Sequence, residues 1–137
     1  MTKNNEFDIL CTNNDLSPEK LTWFIEKLFP EPESGKADPI WSYWYREMMS
    51  MFIIILYYGN KNFDHSNKGL LEFMKTFKDQ NDIYNTFEDI LKNSDNIPYN
   101  NDLRKYFLTH IINCLSIPGE KLFELCNHLI TVVSKAA

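Results

Sequence analysis

Apolar residues return every three or four positions along most of the chain, and nowhere do they alternate with polar ones long enough for a strand. In "LSPEKLTWFIEKLFP", Leu21, Phe24, Ile25 and Leu28 form one stripe at helical spacing. Ser17 stands as a cap and Pro18 at the first helical position, where its missing N–H costs nothing; Pro30 ends the segment. Asp38 and Pro39 repeat this start signal ahead of a longer helix that Gly59 closes. "NKGLLEFMKTFKDQ" sets Leu70, Leu71, Met74 and Phe77 on one side, and "NDIYNTFEDILKNS" does the same with Ile83, Phe87, Ile90 and Leu91. After the polar, asparagine-rich loop "NSDNIPYNND", Leu103, Phe107, His110, Ile111 and Cys114 gather around one face. Pro118 falls in the first turn of a last helix whose Leu122, Leu125, Leu129 and Val132 point inward.

The second of these segments breaks the amphipathic pattern. From Met48 to Tyr58 eleven residues run with only Ser50 small and polar. A membrane helix needs about 20 mostly apolar residues, roughly twice this length. Arg46 and Glu47 precede the run, and Gly59, Asn60, Lys61 and Asn62 follow it. A helix of this length that is apolar all round is the central helix of a bundle. The expected fold is therefore all-α, a compact bundle of about six helices around this helix. Trp41, Met48, Phe52, Ile55 and Leu56 are expected in its core.

Composition narrows the setting. The chain has 137 residues, 44% of them hydrophobic and 15% aromatic, which suits one packed domain and not a disordered segment. Its 19 acidic against 14 basic residues give a net charge of −5, which repels phosphate and disfavours strong nucleic-acid binding. The same charge suits a surface that meets a basic partner. Cys11, Cys114 and Cys126 form no C-x-x-C pair and read as reduced thiols, which points to the cytoplasm. "MTKNNEFDIL" holds no long apolar run of a signal peptide, so a cytoplasmic location without membrane insertion is expected. "EFDIL" reads as an extended segment arriving from elsewhere, and the last helix runs to Ala137 without a stop signal. Residues 1–137 are thus expected to be one domain cut from a larger protein.

Little in the sequence looks chemical. His65, His110, His128 and the cysteines could in principle ligate a metal, and His110 and Cys114 are four apart on one helix. The tight pairs of a structural zinc site are absent, so ordinary core and surface roles are favoured and no metal or cofactor is expected. Cys114 near His110 is the one hint of a nucleophile beside a base, but at core spacing it reads as an inert buried thiol. Asp79 with Asp82, and Glu88 with Asp89, lie on polar faces and read as solvated. "WSYWYRE" interleaves aromatics with charge, yet one arginine is matched by one glutamate, which is packing rather than a base-stacking groove. The sequence holds no G-x-x-x-x-G-K-[ST] phosphate loop, so the chain by itself is not expected to be an enzyme.

"DPIWSYWYREMM" resembles a segment of the type IV secretion coupling proteins, the TraG/TraD-like hexameric motors of conjugation and effector export. Their all-α domain carries D-P-F-W, four residues, then arginine and an apolar helix. Here Asp38, Pro39, Trp41 and Arg46 match, Ile40 replaces the phenylalanine, and Tyr45 stands where the family has alanine. "EFDIL" is similar to the entry into that domain, and "LSIPGEKLFELCNHLITVV" to its return to the motor. The resemblance implies an insertion in a nucleotide-binding motor, hexameric only in that parent, on the cytoplasmic side of the membrane. Its implied partners are proteins: secretion substrates, adaptors or chaperones.

A partner surface is expected where mixed charge meets long loops, since recognition commonly lies on loops carried by a rigid scaffold. That selects Glu72, Lys75, Lys78, Asp79 and Asp82 together with Asn93, Asp95, Asn96, Asn100 and Asp102. Two other readings share the pattern. One is a helical death-regulator fold that grips an amphipathic helix in a groove, although "YWYR" is a distant echo of its signature. The other is an immunity or antitoxin protein that blocks a toxin with an acidic face.

Overall fold

A computed structural model of the chain describes residues 18–29, 39–56, 63, 66–93 and 101–136. They form six helices and no strand: α1 (Pro18–Leu28), α2 (Pro39–Ile54), α3 (Asn67–Met74), α4 (Gln80–Lys92), α5 (Asn101–Leu115) and α6 (Gly119–Ala136). Both proline start signals hold, because Pro18 and Pro39 are the first residues of their helices. The expected caps Ser17 and Asp38, the stop at Gly59 and the entry "EFDIL" lie outside the described residues.

The central helix is α2. Every residue from Met48 to Leu56 is buried, and its last turn widens to π geometry at Ile55 and Leu56. It packs most extensively on α5 and also touches α6, α1 and α3, while α6 in turn covers α4 and α3. The part of α2 from Met48 onward, surrounded in this way, can present no polar face, which is why Ser50 is its only polar residue. Met48, Phe52, Ile55 and Leu56 are core residues as expected; the side chain of Trp41 lies outside the described part. Phe52 is the hub of an aromatic cluster, with ring centroids 5.5 Å from Phe77, 5.9 Å from Phe87 and 6.1 Å from Phe73.

Three expectations are corrected. The apolar stripe of α3 continues to Phe77, but the helix ends at Met74. There the Thr76 hydroxyl donates to the Phe73 carbonyl at 2.7 Å, and Asp79 opens a new helix. Phe77 still reaches the core, from the connection and not from the helix. Pro118 precedes α6 instead of lying in its first turn, and its carbonyl accepts from the Lys121 N–H at 2.8 Å. In α6 it is Val133, not Val132, that is fully buried, in register with Leu122, Leu125, Cys126 and Leu129.

Candidate functional site

The bundle's main polar feature lies between α1, α2 and α5. A cavity of about 150 Å³, partly open to solvent, is lined by Thr22, Ile25 and Glu26 from α1, Arg46, Glu47 and Ser50 from α2, and Tyr106 and His110 from α5. Each arrives by helical spacing. Arg46 and Ser50 are one turn apart on α2, as are Tyr106 and His110 on α5.

Glu47 is the pivot. It retains only 8% of its accessible surface, an exceptional position for a carboxylate. Its Oε2 accepts a hydrogen bond from His110 Nδ1, and its Oε1 accepts from Asn113 Nδ2 at 3.2 Å. Partial desolvation first, then the Glu47 charge, raise the Tyr43 pKa above the usual tyrosine value. Two donors from α5 therefore hold one buried acceptor, and the group ties α2 to α5.

A carboxylate can only accept, so His110 carries its hydrogen on Nδ1. Its other nitrogen, Nε2, is buried and finds no hydrogen-bond partner among the described residues. The Tyr106 ring meets the His110 ring edge-on with centroids 4.3 Å apart, and the Tyr106 hydroxyl lies 3.2 Å from Thr22 Oγ1. Burial raises the Tyr106 pKa, so this hydroxyl stays protonated at neutral pH. Arg46 does not pair with Glu47. Its guanidinium donates to the Phe29 carbonyl at 2.6 Å and closes the end of α1 against α2.

Sequence reasoning missed this site. It placed His110 among core residues and treated Glu47 only as a flank of the apolar run. The available signal was Glu47 directly ahead of nine consecutive buried residues: a carboxylate there needs a partner from another helix, and His110 and Asn113 supply it.

The surface selected from sequence is placed in part. Glu72, Lys75, Lys78 and Asp79 are exposed and Asp82 is half-buried, all around the junction of α3 and α4. Asp79 and Asp82 have a local task as well: Asp79 Oδ1 caps α4 by accepting from the Asp82 N–H at 2.9 Å. Asp82 Oδ2 accepts from the Lys78 N–H at 3.0 Å. Asn93 is exposed but stands at the far end of α4, about 20 Å away along the 13-residue helix. Asp102 lies in the first turn of α5, and Asp95, Asn96 and Asn100 fall outside the described residues. The junction also carries an exposed aromatic that sequence reasoning passed over, Tyr84, in the first turns of α4.

Cys114 and Cys126 are buried free thiols, as expected. Burial raises both pKa values, Cys126 to about 12, which makes them poor nucleophiles. Among the described residues no group of three or more His, Cys, Asp or Glu is placed to hold a metal ion. None of their helices is long and apolar enough to cross a membrane.

Comparison with known proteins adds no relative: no family model matches the chain, and no curated protein or solved structure does.

Proposed function

We propose that the chain is a non-catalytic recognition domain that binds a protein partner, of the kind carried by type IV secretion coupling proteins. The observation that carries this reading is the α3–α4 junction. It exposes Glu72, Lys75, Lys78 and Asp79, and about one turn into α4 it exposes Tyr84. The inner faces of the same two helices, with Leu70, Phe73, Met74, Ile83 and Phe87, are fixed in the core. A tyrosine within mixed charge on a rigid support is the usual composition of a polar protein interface. The resemblance at Asp38–Arg46 adds the family, since that motif opens the helix around which the bundle is built. In this reading the partner is a secretion substrate, adaptor or chaperone met in the cytoplasm, and any nucleotide is bound by a parent motor.

Charge reversal tests the surface. The immobilised domain and its Lys75→Glu/Lys78→Glu variant are used to capture proteins from a lysate of the source organism, with capture compared by quantitative mass spectrometry. The proposal expects proteins of a secretion or conjugation system on the native domain and their loss from the variant. An unchanged set of captured proteins removes the α3–α4 junction as the recognition face.

A further inference from the structure

Helix α1 turns Leu21, Phe24 and Ile25 into the core and leaves Glu19, Thr22, Trp23 and Glu26 exposed. These four positions follow the spacing i, i+3, i+4, i+7, so they form one continuous strip along the helix. They line a depression of about 510 Å³ that is open to solvent. Trp23 is its largest side chain and keeps 41% of its surface exposed. Tryptophan is highly buried on average, and where a protein interface has an anchor it is often this residue.

The charges of the strip select what it can receive. Its charged groups are the carboxylates of Glu19 and Glu26, and neither is engaged in an ion pair among the described residues. They stand seven residues apart, about 10 Å along the axis, with Trp23 between them. The Tyr106 hydroxyl lies 3.2 Å from Thr22 Oγ1. Besides burial, the charges of Glu47 and Glu19 push the Tyr106 pKa upward, so negative potential extends to this edge of the strip as well. The Phe24 ring meets Trp23 edge-on with centroids 5.1 Å apart and supports it. Lys27 reaches over the Trp23 ring, its Nζ 5.4 Å from the centroid, which shows that the ring is placed to receive a cation. A supported aromatic plate between two unpaired carboxylates complements a guanidinium, which stacks on the ring while its N–H groups donate outward. An acidic segment would be repelled here, and an apolar one would cover both carboxylates without pairing them.

We propose that the outer face of α1 docks a basic segment of a protein partner, one arginine of which stacks on Trp23 between Glu19 and Glu26. Lys27 holds the place of that cation in the free chain and swings off the ring as the partner arrives. The surface goes beyond the recognition reading and does not depend on it: it works through negative charge, whereas the α3–α4 junction presents Lys75 and Lys78.

The test is an NMR titration of the full ¹⁵N-labelled chain, following the tryptophan indole N–H signals. Trp23 is assigned by its loss in Trp23→Phe among the three tryptophans of the chain. The probes are capped Gly-Arg-Gly-Arg-Gly and its glutamine and glutamate counterparts. The arginine peptide is expected to move the Trp23 signal with saturation at about 1 mM at low salt, and the other two to leave it in place. Raising the salt to about 0.3 M is expected to weaken the response. Glu19→Gln/Glu26→Gln is expected to weaken arginine-peptide binding by about tenfold. Lys27→Ala is expected to tighten it by about threefold, because a competing cation is gone. The fold of each variant is checked by thermal melting, and where one does not fold, comparison of the three peptides on the native chain decides. No movement of Trp23 up to about 20 mM arginine peptide, equal movement with all three peptides, or weaker binding in Lys27→Ala overturns the proposal. Unchanged affinity in the folded double glutamine variant does the same. Movement of Trp23 with protein concentration alone would give this face to a second copy of the chain and also overturn it.

Discussion

Glu47 shows what one residue does to the energetics of this bundle. Its carboxylate is shut away with donors from His110 and Asn113, so truncation leaves both donors unmatched at once. Glu47→Ala is therefore expected to lower stability by about 2–4 kcal/mol in urea unfolding; a loss below about 1 kcal/mol would mean that water reaches the group. The thiols make a second prediction. An unfolded thiol ionises near 9.0, whereas burial holds Cys126 up at about 12. Between those values the folded chain keeps a proton that the unfolded chain releases. This contribution to stability is thus complete below about pH 9 and drains away as the pH rises towards 12, with Cys114 acting in the same direction. Melting temperatures are expected to fall from about pH 9 upward, and Cys126→Ala to flatten that slope. An identical slope in the variant contradicts the assignment. Cys114 was readable as inert from its spacing. The Glu47–His110 pair was not, because the two residues meet across two helices and 63 positions of sequence.

Among the elements, the Met48–Leu56 part of α2 was the most legible, since a run buried on all sides needs no knowledge of its neighbours to be recognised. The boundary between α3 and α4 was the least. The stripe Leu70, Met74, Phe77 keeps helical period across a real break, because Phe77 packs on Phe52 and Phe73 from a turn as well as it would from a helix. The cap was nonetheless written in the sequence as Asp79 and Asp82 three residues apart, and charge patterning hid it as solvated surface. Asp79→Ala is expected to cost about 1 kcal/mol through loss of the cap to the Asp82 N–H, as measured by thermal or urea unfolding. No change would free Asp79 for a purely external role. The same result matters for binding experiments: Lys75 and Lys78 probe the α3–α4 junction more cleanly than the aspartates, whose removal also loosens α4.

At the scale of the whole molecule the net charge is −5, so the proposed recognition depends on the local positive charge of Lys75 and Lys78 at the exposed α3–α4 junction, set against that overall field. Calorimetric titration with ATP and magnesium is expected to show no heat of binding, because the sequence holds no phosphate loop; saturable binding in the micromolar range would put a nucleotide site in this chain. The all-helical class was legible throughout, and what could not be read was which polar faces remain outside once the helices are packed. Recognition itself is tested most directly by fluorescence anisotropy of the labelled domain. It is titrated with purified substrates, adaptors and chaperones of the source organism's own type IV system, at low and high salt. The account predicts saturable binding to at least one of them, weakened by salt mainly through slower association and reduced by Lys75→Glu/Lys78→Glu. Absence of binding to every one of them, with the domain folded, would contradict it.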